Sequence, residues 1–218
     1  LVEQYLYSPL DESGKRSFSV ENELSNLETR IKPTLAKFCY EEIDMSNDGI
    51  RQEMSFFIAT LIFRNKSMID KHKGLHINII SDIEYSERAE YLDHESFVAF
   101  KQFKDNNPTK WDQFRFLDEK GFQKLFAENL ISGASSIVPA IMEKKWGLIK
   151  SSDEVFVTSD DPLTAYHPKE ILYGIVTKGV SITLPLCPNR LLWLHDLDEP
   201  DNKTYEVSNT GVESFNFF

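Results

Sequence analysis

The sequence predicts an α+β protein. Its first two thirds read as a helical bundle, packed on a small mixed or antiparallel sheet formed by the last third plus an N-terminal strand. Three observations carry that prediction. Apolar residues recur at helical spacing from Val20 to about residue 143. After Lys145 the pattern becomes short apolar runs, "WGLIK", "VFVT", "VSITLPL" and "RLLWLHD", parted by Asp, Ser, Pro and Gly. No repeat, low-complexity tract or clear linker interrupts the chain, so a single domain over 1–218 is expected, with a strand region at 1–18, helices at 19–145 and the sheet at 146–218.

Each element has a local reason. Around Tyr5 and Tyr7 the chain alternates as a strand does, and "DESGK" is turn chemistry. Ser19 offers an N-cap to a helix whose apolar stripe is Val20, Leu24, Leu27, Ile31, Leu35 and Phe38, kinked or divided at Pro33. "DMSNDG" breaks that pattern and caps a second helix, expected from Ile50 to Asp70. Residues 76–103 are polar, acidic and weakly periodic, and are assigned as helix, whereas "KDNNPTKWD" reads as a loop. Asp118 then caps a helix through about Glu143, with Phe122, Leu125, Phe126, Leu130, Ile137 and Ile141 facing inward. Gly133 and Ala134 would let a neighbour approach closely, and Pro139 would bend the helix. "KWGLIKSSDEVFVTSDDPL" reads as a hairpin of Trp146–Lys150 and Val155–Thr158. Phe156 and Trp193 are core candidates.

The bulk numbers narrow the class. Of 218 residues 41 % are hydrophobic, a globular composition able to bury a core. The formal charge is 24 − 35 = −11. A surface of that sign repels phosphates and anionic lipid, so a nucleic-acid partner is disfavoured and no membrane partner is expected. No stretch reaches about 18 uncharged apolar residues, the length of a spanning helix. Cys39 and Cys187 lie far apart and cannot form a four-thiolate zinc site. They read as buried free thiols in a reducing compartment, which gives a cytoplasmic location. The start at Leu1 and the "FNFF" end both look cut.

Two features point to chemistry. On a helical wheel, Ile50, Met54, Phe57, Leu61 and Met68 form one stripe with Arg64 in its middle. A guanidinium among apolar groups needs a carboxylate. Glu28, beside the Leu24/Leu27/Ile31 stripe with Glu21 seven residues before it, is the expected mate. The set is either a structural ion pair or the lining of a polar cavity. In "VFVTSDDPL", Asp160 and Asp161 end a strand-like run before Pro162. They either punctuate the strand or, with ligands from elsewhere, hold a divalent cation or move a proton.

Further signals are weaker. His72 and His76 have the spacing of two ligands on one helical face, but Gly74 between them marks a solvated helix end. His167 and His195 read as surface histidines near the Asp160 loop. "SGASS" lies in a helical pattern and is no nucleophile elbow, and no phosphate-cradling glycine loop is present.

Taken in order, Trp146-Gly-Leu-Ile149, Phe156-Val-Thr-Ser-Asp-Asp-Pro162 and Pro185-Leu-Cys-Pro188 resemble the bacterial family called domain of unknown function 4238. The Glu-x6-Glu of Glu21 and Glu28, Arg64 in "FFIATLIFRN" and Asn216 in "SFNFF" match further positions of that family. The resemblance covers most of the chain and thins between about 74 and 117. The family's opening "HxVPxxYL" strand and the segment after its asparagine are missing here. Asp161 stands where the family has Asn, exchanging an amide donor for a charge. The resemblance implies an architecture and a set of positions, not a reaction. The function expected is a hydrolase or nuclease assisted by a divalent metal, with Glu21, Glu28, Arg64, Asp160 and Asp161 converging at the helix–sheet junction. The alternative is a non-catalytic binding or regulatory protein whose Glu–Arg cluster is structural.

Overall fold

The computed structural model describes residues 7–9, 13–64, 66–90, 92–153, 155–159, 161–167, 174 and 177–207. Six helices and five strands occur among them: α1 (Ser19–Tyr40), α2 (Asp48–Arg64), α3 (Lys66–Tyr85), α4 (His94–Asn106), α5 (Pro108–Arg115), α6 (Glu119–Met142), β1 (Lys145–Ser151), β2 (Thr164–Tyr166), β3 (Ser181–Cys187), β4 (Arg190–His195) and β5 (Lys203–Val207). The arrangement is α+β, with the helices ahead of a five-stranded mixed sheet. The expected strand near Tyr5, the Asp160 position and Asn216 lie outside the described residues.

The chain divides into two compact units. The first takes Leu1–Glu21 and Arg64–Leu130, and the second takes Asn22–Phe63 and Ile131–Phe218. The first unit is helical. Ile83, Phe97 and Trp111 are buried at its centre, with Ile79, Ile80, Leu92, Phe100 and Phe114 packed around them. Asp93 caps α4 by accepting from Ser96 N at 2.8 Å. The expected "KDNNPTKWD" loop is a correction: only Asn107 separates α4 from α5. Pro108 sits at the first helical position, where its missing N–H costs nothing and its fixed φ suits the helix. Asp118 caps α6 as expected, its Oδ1 accepting from Gly121 N at 2.7 Å. The helix is also not ending at Gly74, because α3 runs through it to Tyr85. His72 and His76 lie within α3, edge-on to Phe126 at 5.7 Å and Phe114 at 4.5 Å respectively.

The second unit holds the sheet, in the order β2-β3-β4-β1-β5. β1 pairs antiparallel with β4 and parallel with β5, and β3 and β4 form a hairpin. The expected hairpin of Trp146–Lys150 with Val155–Thr158 is therefore overturned. Residues 155–158 are not a strand; instead Val155 N and Phe156 N both donate to Pro188 O at 2.8 Å. One sheet face carries Trp146, Leu148, Ile182, Leu184, Leu192 and Leu194, all buried. It meets helices: Trp146 Nε1 donates to Ile141 O of α6 at 3.4 Å, and the Arg51 guanidinium of α2 lies 5.2 Å from the Trp146 ring centre. On the other face Ile149, Leu191 and Phe156 cluster, with Val155, Trp193 and Val207 packed on them.

α1 buries Val20, Leu24, Leu27, Ile31 and Phe38 as its spacing requires, and Pro33 does not divide it. The described residues of the helix expected over Ile50–Asp70 are helical, in α2 up to Arg64 and in α3 from Lys66, and the helical stretch runs on to Tyr85. In α6 the close approach at Gly133 is present, since a Cβ there would stand 2.7 Å from Phe63 Cε1. The Lys120–Met142 stretch of α6 is long and apolar enough to cross a membrane by length and composition, properties the core helix of a soluble protein shares.

Candidate functional site

The stripe chosen from the sequence for α2 is corrected by the structure. Its buried side is Arg51, Met54, Ser55, Ile58, Ala59, Thr60 and Ile62, whereas Ile50, Phe57 and Leu61 are only partly covered. The arginine buried on that side is Arg51. Its Nε donates to Met45 O at 2.7 Å, and Nη1 to Met142 O at 3.0 Å and Lys144 O at 3.3 Å. Nη2 reaches Asp201 Oδ1 at 2.5 Å and Asn202 Oδ1 at 2.7 Å. One guanidinium thus ties the loop before α2, the last carbonyls of α6 and the turn before β5. Asp201 Oδ1 also accepts from Trp146 N at 2.7 Å, so the turn is locked to β1.

Arg64 closes α2 as its last residue and is half-buried. It lies in the first unit with Tyr7, whose hydroxyl donates to Arg64 O at 2.6 Å and whose ring centre is 5.9 Å from the guanidinium carbon. Burial raises the Tyr7 phenol above its ordinary pKa, and the Arg64 charge opposes that rise. Beside Tyr7, the buried Ser8 hydroxyl has no hydrogen-bond partner among the described residues, and Ser8 O accepts from Arg16 Nη1 at 3.1 Å.

The five residues expected to form a site fall as follows. Glu21, half-buried in the first turn of α1, and Arg64 belong to the first unit. Glu28, exposed on α1, and Asp161, exposed in its turn, belong to the second. Asp161 N donates to Ser159 Oγ at 3.2 Å, and that hydroxyl donates to Asp161 O at 2.8 Å. An open hollow of about 530 Å³ in the second unit is lined by Arg30, Gln52, Glu53 and Phe56 among others, and one of about 540 Å³ in the first by Glu84, Trp111 and Arg115 among others. Neither is lined by Glu21, Glu28, Arg64 or Asp161, the four of the five that are described. Among the described residues no group of three His, Cys, Asp or Glu stands ready to hold a metal ion.

Sequence reasoning missed a second buried cation. Lys144, 3 % exposed, donates through Nζ to Val180 O at 2.9 Å and Asp196 Oδ2 at 2.8 Å. Burial alone would raise the Asp196 carboxyl, but the Lys144 ammonium and the Gly179 N–H at 2.7 Å hold it below its ordinary value. Gly179 has φ +92°, and a Cβ there would stand 3.0 Å from His167 Nε2. The surface reading of His167 and His195 is also corrected, because both are buried. The His195 ring lies 4.0 Å from Trp193, and neither of its nitrogens has a hydrogen-bond partner among the described residues. Burial lowers its pKa and Lys145 adds to that, against Glu199, Asp196 and Asp201. A repeat of apolar residues around "WLHD" is the one signal that could have marked His195 as interior.

The helices, the mixed sheet and the buried cations define an α+β protein with a polar corner at the end of α2. A model of the family described as protein of unknown function, DUF4238, matches residues 1–217, and the chain belongs to that family. No curated protein and no solved structure matches the chain.

Proposed function

We propose that the protein is a bacterial, cytoplasmic hydrolase assisted by a divalent metal, a nuclease being one form, with an anionic substrate held by Arg64. Within the first unit Glu21 would supply a carboxylate, and Glu28, Asp160 and Asp161, of the second unit, would serve there as metal ligands or as a base. The observation that supports this reading is the Tyr7–Arg64 contact. A half-buried guanidinium beside an aromatic ring, in the same unit as Glu21, suits an anion better than a solvated surface arginine does. The unpartnered, buried Ser8 hydroxyl next to Tyr7 adds a donor of the right kind. Thermal melting with a panel of divalent cations and nucleotides tests the proposal. A ligand at about a hundred times its dissociation constant stabilises by about 2.7 kcal/mol. That gain should vanish in Asp160→Ala and in Arg64→Met. A midpoint unmoved by every member of the panel would remove the reading.

One observation favours the alternative, a non-catalytic binding or regulatory protein. The Ser159–Asp161 hydrogen bonds are those of a turn that punctuates a strand-like run, which gives Asp161 a local duty without a ligand. Both bonds run between the Ser159 hydroxyl and the Asp161 backbone, so under that reading Ser159→Ala loses stability while Asp161→Ala leaves both stability and ligand response untouched.

A further inference from the structure

Two cysteines separated by α2–α6 and most of β1–β3 meet in the second unit. Cys39 is the penultimate residue of α1, and Cys187 is the last residue of β3. The Cys39 thiol donates to Leu186 O at 3.3 Å, and Cys187 Sγ stands 3.8 Å from Cys39 O. The Cys187 sulfur thus lies against the Cys39 backbone and near Asn189 Oδ1 at 3.2 Å, and the Cys39 sulfur lies against the residue just before Cys187, so the two side chains share one small space, as a disulfide requires. A register shift between Pro185 and Cys187 bends the end of β3 at this point. Both residues are half-buried rather than sealed in the core, so a small reagent can reach them.

The surroundings hold the pair in place. Arg190 Nη1 donates to Phe38 O at 2.8 Å and Glu41 O at 2.6 Å, so the turn after β3 caps the end of α1. Lys150 of β1 pairs with Glu42 just beyond the helix. The thiols are thus the one part of a polar clasp that can become covalent.

We propose that Cys39 and Cys187 form an oxidisable dithiol that closes to a disulfide and locks the C-terminal turn of α1 to the β3–β4 turn. The oxidant is a low-molecular-weight disulfide. The Cys187 thiolate attacks it, forms a mixed disulfide and releases one small thiolate. The Cys39 thiolate then attacks the Cys187 sulfur, the protein S–S bond forms, and the second small thiol leaves. Two protein thiols lose two protons and two electrons, and the small disulfide gains both. Burial, and then Cys187, pushes the Cys39 thiol up to about 11. Few Cys39 thiolates exist at neutral pH, so closure is slow there and quickens as pH rises.

Oxidised glutathione added to the full chain tests this. Peptide mapping without reductant should find the peptides of Cys39 and Cys187 joined within one chain. The cross-linked protein should melt about 5–10 °C higher than the reduced one, as expected for closing a long loop, and dithiothreitol should reverse the change. Closure should speed up steadily from about pH 7 to pH 9. Cys39→Ser should stop at a glutathione adduct on Cys187, with no rise in melting temperature. Glutathione adducts that persist on the unaltered chain without closing, links between chains, or a joined pair that melts no higher would each overturn the proposal. The map of the unaltered chain decides even if a serine variant fails to fold.

Discussion

Arg51 and Arg64 stand at opposite ends of one helix, and α2 treats them differently. Arg51 is buried, and its Nε and both Nη atoms bond oxygens from three separate segments. Arg64 is half-buried, with Tyr7 among its contacts. The first has the surroundings of a structural pin, in which the desolvated charge is matched bond for bond. The second keeps enough exposure to meet something from outside. What separates the two is access: the Arg51 charge is enclosed by oxygens of three segments, and the Arg64 charge stays partly open.

Substitutions can break or sharpen this contrast. The largest effect belongs to Arg51→Met, expected to cost about 3–5 kcal/mol because it removes the donors that the Met45, Met142 and Lys144 carbonyls share, along with the Asp201 and Asn202 bonds. Arg64→Met should cost about 1 kcal/mol or less in the same urea titration. Equal losses would erase the distinction. Next comes Lys144→Met, which leaves Asp196 with the Gly179 N–H as its remaining bond among those described here. A loss of about 2–4 kcal/mol is expected, placing Lys144 with Arg51 as a second pin of the same unit. A loss as small as that of Arg64→Met would detach it from that class.

The smallest effect is in pH. Burial lowers the pKa of His72, His76 and His195 below the ordinary 6.5. The unfolded chain therefore takes up these protons first as pH falls. The stability tied to the neutral rings is fully present above about pH 6.5 and drains below it. The urea midpoint should fall between about pH 7.5 and pH 5.5. The lowered carboxyls of Glu84 and Asp196 act in a separate window, near and below about pH 4. A midpoint that is flat from 7.5 to 5.5 would mean that these rings protonate freely in the fold.

Much of the architecture was legible where one residue type speaks for one geometry. Asp118 before the Phe122, Phe126, Leu130 and Ile141 spacing announced α6, and "VSITLPL" and "RLLWLHD" announced β3 and β4. β2 has three residues and β5 mixes Lys, Thr, Tyr, Glu and Val, so neither carried an apolar signal. Val155–Thr158 looked like a strand because strands and extended loops share one alternation, and only the shared acceptor at Pro188 distinguishes them. The face of α2 was misread for a related reason. Apolar residues surround most of that helix, so several stripes compete, and the true one includes Arg51, Ser55 and Thr60. The partners that make Arg51 tolerable, Asp201 and Asn202, come from the far end of the sequence and leave no local trace. The positions of the proposed site were legible through family resemblance; the pins that hold the sheet were not.

β1 bears a consequence for how the protein is made. Its Trp146, Leu148 and Ile149 are among the most deeply buried side chains, yet both of its sheet neighbours are encoded later in the chain. During synthesis this strand emerges with two open edges. One waits for Arg190–His195 and the other for Lys203–Val207. Parallel pairing with β5 demands that a long intervening segment be gathered first, a slow step that leaves greasy backbone unguarded in the meantime. The ribosome thus releases the most aggregation-prone strand of the sheet well before it releases the two that shield it.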